Sequence, residues 1–351
     1  MDFRNEIDSF TCGGTLFSSL KGKTIRCAAC AHRCEIPSGK RGFCKVRYNE
    51  NGDFRVPYGY VAGIQIDPIE KKPLAHFFPG SDVLTFGMLG CNFHCSFCQN
   101  WFSSQSFRDP DACSAIEKIH PISPEEIVDL AIRNQVTSIA SSYNEPLISS
   151  EWAVEVFKIA KQKGIKTVFV SNGFATEEVF SLICPWLDAI KIDLKSMREE
   201  RYRQMGGKLQ PVLDSIRNAR AMGLWVEVVT LVIPDFNDSP EELWDAGRYL
   251  ASISVDIPWH VTAYHPDYKM CEGLPTSSEL LQRAAEIGQE AGLRYVYAGN
   301  IPGKVGSLED TCCPKCNQQL VRRRGYRILE NKLTAEGICP YCGETIAGLF
   351  L

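Results

Sequence analysis

The chain has 351 residues, of which 44% are hydrophobic and 23% are charged, and its formal net charge is −4. This composition excludes a chain that is disordered throughout, because enough apolar side chain is present to build a sizeable core. The small negative charge argues against broad capture of nucleic acid, and no apolar run approaches the roughly 18 residues that a membrane helix needs. The first ten residues, MDFRNEIDSF, carry three acids and no apolar run, so we expect no signal peptide and a cytoplasmic protein.

Cysteine is the unusual part of the composition, with 16 residues. Twelve of them fall in three short segments, which in a reducing cytoplasm indicates metal sites rather than disulfides. We call these groups the N-terminal, central and C-terminal cysteine sets. Their members are Cys27, Cys30, Cys34 and Cys44, then Cys91, Cys95 and Cys98, then Cys313, Cys316, Cys339 and Cys342, with Cys312 beside the last set.

Between residues 81 and 300, short β-rich segments alternate with amphipathic helical segments. Ser123 and Ser239 each precede a proline and stand three residues before a glutamate, which predicts two capping boxes. Seven strands are predicted, at 83–88, 137–143, 166–171, 189–194, 225–233, 259–265 and 294–299. Three helices are expected to end at a left-handed glycine, at Gly164, Gly223 and Gly292.

Repeated strand–helix–strand units predict an α/β fold with a parallel sheet and right-handed crossovers. Six or seven units are too few for a closed eight-stranded barrel, so an open doubly wound sheet and a partial barrel both fit. Both folds place function at the carboxyl ends of the strands. We divide the chain into a cysteine-rich N-terminal region (1–75), a core (76–305) and a cysteine-rich C-terminal region (306–351) that is too short for an apolar core of its own.

The central set follows the first core strand in the string GCNFHCSFCQNW, with the spacing C-x3-C-x2-C. Three cysteines cannot complete a tetrahedral zinc site without a further ligand, and an iron–sulfur cube normally takes four. With three thiolates, one iron keeps an open position, which is what a catalytic metal needs. The alternatives are a ferredoxin-type cluster with a remote fourth cysteine, or a zinc knuckle completed by His94.

This spacing resembles the signature of radical S-adenosylmethionine (SAM) enzymes. The strings DPIEKKPLAHFFPG, YNEP, SNGF, KIDLKS, VIPDFNDS, PWHVTAYHPDYKM and YVYAGNIPG are similar to those of one subgroup, the radical SAM enzyme of the AmmeMemoRadiSam system, related to pyruvate formate-lyase activating enzyme. The resemblance implies a partial (βα)6-type parallel barrel. It also implies a 4Fe-4S cluster on Cys91, Cys95 and Cys98 that cleaves SAM to a 5′-deoxyadenosyl radical, which takes hydrogen from a protein (a glycyl group, for example) or a small molecule.

The resemblance further implies SAM contacts at the strand ends. Glu145 matches the acid of the family's Gly-Gly-Glu motif, although Tyr143 and Asn144 replace the glycines; an acid in a surface turn is the alternative. Asp193 and Lys195 match the Asp-x-Lys element of activating enzymes, and the lysine would pair with the SAM carboxylate. A solvated pair of charges is the alternative there.

The third and sixth core strands give two weaker contacts. Asn172 is a candidate cofactor contact, but Val170 stands where activating enzymes usually have an aspartate, so their cation site is not expected here. His265 matches a histidine near the SAM ribose, with a structural histidine as the alternative.

The two outer cysteine sets predict further metal sites. The C-terminal set has the two C-x2-C knuckles of a zinc ribbon, so we expect structural Zn²⁺, with an accessory iron–sulfur cluster as the rival. For the N-terminal set, zinc and an accessory cluster both fit, and zinc is the working expectation.

The implied partners are SAM, an electron donor such as flavodoxin or ferredoxin, and proteins of the Memo and AMMECR families. Membrane and nucleic-acid partners are not expected. Two other functions compete. An iron–sulfur electron-transfer protein leaves Glu145, Asp193, Lys195 and His265 without a role, and a zinc-ribbon nucleic-acid-binding protein predicts a basic surface that the net charge of −4 does not support.

Overall fold

A computed structural model of the protein describes residues 7–350, so part of the MDFRNEIDSF string and the last residue of the C-terminal region lie outside the described residues. The described N-terminal region is built from short strands in two three-stranded antiparallel sheets, ordered β1-β6-β5 and β2-β3-β4. Its strands are β1 (Thr11–Gly13), β2 (Phe17–Ser19), β3 (Ile25–Cys27), β4 (Glu35–Ile36), β5 (Tyr48–Glu50), β6 (Asp53–Pro57) and β7 (Tyr60–Val61).

The core is one eight-stranded sheet in the order β16-β15-β14-β13-β12-β11-β9-β8. Its strands are β8 (Gly63–Pro68), β9 (Asp82–Gly87), β11 (Ser138–Ser141), β12 (Lys166–Ser171), β13 (Ala189–Asp193), β14 (Trp225–Val232), β15 (Trp259–Ala263) and β16 (Val296–Gly299), while β10 (His120–Pro121) pairs with β7. Apart from β8, the seven strands of this sheet are parallel and neighbour one another in chain order. With right-handed crossovers, this order puts all the connecting helices on one face, because a doubly wound sheet must reverse its order. The partial barrel is therefore confirmed.

The helices follow the predicted pattern, with one correction. They are α1 (Trp101–Ser104), α2 (Pro124–Arg133), α3 (Ser150–Gln162), α4 (Glu177–Ile183), α5 (Glu199–Gln204), α6 (Leu209–Ala221), α7 (Pro240–Ile253) and α8 (Ser278–Glu290). The capping box at Ser123 is complete. The one predicted at Ser239 is wrong in its second half: Ser239 accepts from the Glu242 amide, but the Glu242 carboxylate turns inward to bond Ser196 and Met197. Tertiary contacts outweigh a local cap here.

Strand β8 was not predicted, and it pairs antiparallel with β9 at the edge of the sheet. Its sequence GIQIDP alternates apolar and polar residues over only a few positions, and burial does not follow that alternation, because Asp67 is buried and Ile66 is exposed. The strand therefore owes its conformation to pairing with β9 rather than to a local pattern.

An apolar layer fills the amino-terminal end of the barrel. Residues near the starts of the strands pack against the segment that follows β8, and this layer comprises Val83, Ala140, Val168, Ala189 and Trp225 with Ile69, Leu74, Phe77 and Phe78. The interior toward the carboxyl ends is polar instead, with Lys191, Glu227 and His260 buried on β13, β14 and β15. The amino-terminal end of the barrel is thus filled by apolar side chains, and the space toward the carboxyl ends of the strands is available to a ligand.

The C-terminal region folds as a three-stranded antiparallel sheet of β17 (Thr311–Cys312), β18 (Gln319–Arg324) and β19 (Arg327–Asn331). It packs on the barrel through a separate apolar cluster that includes Ala75, Tyr295 and Tyr297. Among residues 7–350, none of the helices has the length and apolar character required to cross a membrane.

Candidate active site and metal centres

A cavity of about 680 Å³ lies inside the barrel at the carboxyl ends of the strands. Seven predicted site residues line it: Cys91, Cys95, Cys98, Glu145, Asn172, Asp193 and Lys195. His265 is exposed, and its Nε2 accepts a hydrogen bond of 3.0 Å from the amide of Gln99, which itself lines the cavity. The fold therefore gathers seven of these eight residues around one cavity and leaves His265 beside a residue of its lining.

The loop after β9 holds the central cysteines in a tight turn. A Cβ on Gly87 would lie 2.4 Å from the Ser142 carbonyl oxygen, and Gly90 has a φ of +88°, so both positions favour glycine. The Phe93 amide donates to Cys91 Sγ at 3.4 Å, and Ser104 Oγ lies 3.4 Å from Cys98 Sγ. The sequence order Gly–Cys after a buried strand thus aims the thiols at the cavity.

The chemistry of these three thiols fits an iron–sulfur cluster. Burial raises the pKa of Cys91 and Cys98 above the usual thiol range and that of Cys95 to about 12. Thiols in such surroundings stay protonated unless a metal cation compensates the thiolate charge. His94, the alternative ligand, does not line the cavity, and it packs beside Gly206 and Phe43 instead.

Glu145, which follows β11, connects the end of that strand to the end of β12 through hydrogen bonds. Its carboxylate accepts hydrogen bonds from Ser171 Oγ at 2.6 Å, from the Asn172 amide at 2.7 Å and from the Leu147 amide at 3.1 Å. Only 2% of the residue is exposed, so the surface-turn alternative is wrong. Burial raises the pKa of this carboxyl to about 7, although the three hydrogen bonds oppose the rise.

Tyr143, which stands where the family motif has a glycine, has a left-handed backbone conformation. Its φ of +69° lies in the left-handed region, which costs a non-glycine residue of order 1 kcal/mol or more. Strand β11 ends at Ser141, two residues before the predicted end at residue 143. The ring lies against Gly87 and Gly63 and carries the Lys72 ammonium 4.9 Å above its centroid. A phenol thus enters the cavity wall where the family pattern has no side chain.

Asp193 lies between two lysines that point into the barrel with it. Its carboxylate pairs with Lys191 Nζ and, at 3.1 Å, with Lys195 Nζ. Burial alone would raise the pKa of Asp193, but the two ammonium groups hold it at about 2; Asp193 in turn raises the pKa of Lys195 against the effect of burial. All three line the cavity, where Asp193 and Lys195 form an ion pair with side chains 29% and 17% exposed. Lys191 is paired with Val170 on the neighbouring strand. Its ammonium group thus lies next to the position where activating enzymes have the aspartate of their cation site, a site that was not expected in this chain.

A buried dyad of His260 and Glu227 adjoins the same cavity and was not predicted from the sequence. His260 lines the cavity with only 6% of its surface exposed, and its Nε2 lies 2.7 Å from the fully buried Glu227 carboxylate. A signal existed: Lys191, Glu227 and His260 each interrupt an apolar strand at an inward position.

Asn92 ties the central loop to the neighbouring strand and to the N-terminal region. Its side-chain oxygen accepts from Asn172 Nδ2 at 2.7 Å, and its carbonyl accepts from His32 Nε2 at 2.8 Å. Asn172 was predicted to contact a cofactor, and here it also orients the cysteine loop.

The C-terminal set forms a compact four-thiol site. Cys313 Sγ lies 3.6 Å from Cys342 Sγ, and Cys316 Sγ lies 3.7 Å from Cys339 Sγ, with all four sulfurs within 4.8 Å of one another. A tetrahedron with Zn–S bonds of about 2.3 Å has sulfur–sulfur edges of roughly 3.8 Å. The arrangement therefore fits a tetrahedral metal ion such as zinc.

Comparison with known proteins adds an independent line of evidence. A sequence model of the Radical SAM superfamily matches residues 86–247. An uncharacterized protein of Methanocaldococcus jannaschii is 37% identical over 333 residues, covering 94% of this chain and 97% of the relative. The isethionate sulfite-lyase activating enzyme of Oleidesulfovibrio alaskensis is 22% identical over 69% of this chain and 76% of its own. The pyruvate formate-lyase-activating enzyme of Clostridium pasteurianum is 24% identical over 51% of this chain and 71% of its own.

Proposed function

Because this chain belongs to the radical SAM superfamily, we propose that Cys91, Cys95 and Cys98 hold a 4Fe-4S cluster and that SAM binds beside it in the barrel cavity. The observation that carries the proposal is the convergence of three thiols, a buried carboxylate and a lysine around that one cavity. When bound, the cluster and SAM supply a carbon-centred radical that removes hydrogen from a substrate. The chain's own residues have the task of binding, orienting and shielding.

Each charged residue has a proposed role toward SAM, which carries an amine and a carboxylate. Lys195 donates to the SAM carboxylate, and Asp193 positions the Lys195 side chain at 3.1 Å. Glu145 and Asn172 face the amine end, where the Glu145 carboxylate still has lone-pair capacity after its three bonds. His265, at the edge beside Gln99, is proposed to lie near the ribose.

We propose a small molecule as the substrate, held below SAM inside the barrel. The cavity lining also presents ionisable and hydroxyl groups, namely Lys72, Lys191, His260, Tyr297 and Arg323. A glycyl hydrogen on a protein backbone needs none of these groups, whereas a polar small molecule uses them for orientation and proton transfer. The protein substrate remains the second candidate, because two of the relatives are named as activating enzymes of other proteins.

Deuterium transfer decides between the two substrates. The full chain is reconstituted anaerobically with iron and sulfide and reduced with dithionite, and 5′-deoxyadenosine is then analysed for deuterium after incubation with labelled candidates. Label taken up from a small molecule supports our proposal, and label taken up only from a glycine-deuterated partner protein refutes it.

The finer family assignment also stays a proposal, supported by the motif strings quoted above. We propose membership in the AmmeMemoRadiSam subgroup, Memo-family and AMMECR-family partners, flavodoxin or ferredoxin as electron donor, and a cytoplasmic location. We further propose Zn²⁺ on the C-terminal set and a division into regions 1–75, 76–305 and 306–351, with β8 of the first region completing the sheet of the second.

A further inference from the structure

The N-terminal cysteine set begins at Cys27, the last residue of β3. Cys27, Cys30 and Cys44 are buried, and Cys34 is half-buried. The Cys27 amide donates to the Cys34 carbonyl at 2.9 Å, which closes the first three cysteines into one loop. A second turn, in which the Lys45 amide donates to the Gly42 carbonyl at 3.0 Å, brings Cys44 to this loop.

The sulfurs of this set already receive hydrogen bonds from the protein. The Phe43 amide donates to Cys34 Sγ at 3.3 Å, and Arg47 donates from Nη1 to Cys27 Sγ at 3.7 Å. Arg47 is 1% exposed and is itself fixed by an ion pair with Glu151 and by a bond of 2.8 Å from Nε to the Ile148 carbonyl. Donors aimed at sulfur, one of them cationic, stabilise thiolate ligands and tune the metal that they hold.

The spacing of the four cysteines differs in kind from that of the C-terminal set. The C-terminal set is two plus two, the pattern of a zinc ribbon, in which each C-x2-C knuckle gives two ligands. The N-terminal set is three plus one: C-x2-C-x3-C within eight residues, then Cys44 ten residues later. Three close cysteines with a remote fourth is the arrangement by which ferredoxins hold an iron–sulfur cube.

The sulfur–sulfur distances of the C-terminal set are those of a zinc site. All four of its sulfurs lie within 4.8 Å of one another, as ligation of a single tetrahedral ion requires. A zinc ion needs every sulfur–sulfur edge near 3.8 Å, whereas a cube of iron and sulfide keeps its four thiolates well apart, because each binds a different corner.

The N-terminal cysteine set is packed directly against the loop of the central set. A Cβ on Gly90, the residue before Cys91, would lie 3.1 Å from the Cys44 carbonyl oxygen. His32 bonds the Asn92 carbonyl at 2.8 Å, and Arg108 joins the two loops by donating to the carbonyls of Phe43 and, at 3.2 Å, Phe93. The two cysteine sets are therefore neighbours within one packed unit.

We propose that the N-terminal cysteine set binds a second iron–sulfur cluster of the cubane type, beside the loop of the central set. This replaces the working expectation of zinc at that position. The inference goes beyond the proposed function, because the central set can bind its cluster whether the N-terminal set holds iron or zinc.

The test is metal and spectroscopic analysis of the full-length protein after anaerobic reconstitution with iron, sulfide and zinc together. The expected content is about eight irons and one zinc per chain. Cys30→Ala should lower iron to about four per chain and leave the electron paramagnetic resonance signal that SAM perturbs. Cys12→Ala, a half-buried cysteine of the same region outside the set, is the matched control and should keep all eight.

A variant without the central cysteines tests the second cluster independently of the proposed function. A chain with Cys91, Cys95 and Cys98 all changed to alanine should retain about four irons and a cubane signal that SAM does not perturb. Two zinc ions per chain in the unaltered protein, or no cubane signal in this triple variant while circular dichroism shows it folded, would overturn the inference. If Cys30→Ala is misfolded, the iron-to-zinc ratio of the unaltered protein decides alone.

Discussion

The Glu227 carboxylate lies 2.7 Å from Nε2 of His260, in the polar part of the barrel interior. The same carboxylate accepts the amides of Ala75 and His76 at 2.9 and 2.8 Å and the indole N–H of Trp225 at 2.9 Å. Burial alone would raise the pKa of Glu227, but His260, the His76 ring and the Trp225 indole lower it, His260 most of all. An ionised Glu227 fixes the His260 proton on Nε2, and Nδ1, which has no hydrogen-bond partner among the described residues, is then free for a ligand.

We expect nitrogen-15 spectra of histidine-labelled protein, which has six histidines, to show the Nε2–H tautomer at His260. Glu227→Gln should weaken this preference, because a charged hydrogen bond of roughly 1.5–3 kcal/mol is lost. His32 is the matched control: its Nε2 is held at 2.8 Å by the Asn92 carbonyl and not by Glu227. An Nδ1–H tautomer at His260 would contradict the proposed contact with substrate.

His76 should make stability depend on pH. Burial lowers its pKa to about 4, although Glu227 opposes that shift and Arg323 and His260 support it. The unfolded chain takes up the proton near pH 6.5, so the stabilisation is complete above pH 6.5 and is lost as the pH falls toward 4, by up to about 3 kcal/mol. Denaturant unfolding between pH 7 and 4.5 measures this loss. A slope unchanged in His76→Gln would show that another group titrates.

Lys195→Ala should weaken SAM binding by about ten- to a hundredfold, since a charged hydrogen bond contributes roughly 1.5–3 kcal/mol. Iron content should stay unchanged, because the lysine gives no ligand to iron. Equilibrium binding of SAM to the reconstituted protein measures the effect. Lys158→Ala, a lysine of α3 paired with Glu155 on the surface, is the control, and equal SAM affinity in both variants would remove Lys195 from the site.

Cys316→Ala should release the C-terminal metal and loosen β18 and β19 without loss of iron at the central set, because metal ligation provides much of the folding free energy of so small a region. The full chain is needed, since this region packs on Tyr295 and Tyr297 of the barrel. Zinc analysis and trypsin cleavage at the exposed Arg322 and Arg324 report the change. Cys312→Ala should behave as the parent, and a zinc content equal in both variants would exclude the proposed site.

The sequence predicted those features that are encoded locally. Seven core strands and the strand-end placement of Glu145 and Lys195 follow from alternation and from the parallel βα pattern. Tertiary contacts decided the rest. Strand β8 is stabilised by its pairing with β9, and the Glu242 carboxylate accepts a hydrogen bond from Ser196 instead of completing the helix cap.

The dyad of Glu227 and His260 shows why part of the site escaped prediction. The two residues lie 33 positions apart in the chain, and nothing in the sequence states that β14 and β15 bring them to 2.7 Å. Each was visible as a polar residue at an inward position of an apolar strand, and that signal indicates a buried partner without identifying it.

The central claim is tested most directly by the production of 5′-deoxyadenosine from SAM. Full-length protein, reconstituted with iron and sulfide under anaerobic conditions and reduced with dithionite, should form 5′-deoxyadenosine and methionine in equal amounts. Cys113→Ala, which changes an exposed cysteine outside all three sets, should retain this activity, and Cys95→Ala should lose it. Cleavage of SAM by Cys95→Ala at the parent rate, or no cleavage by parent protein that carries its full complement of iron, would contradict the account.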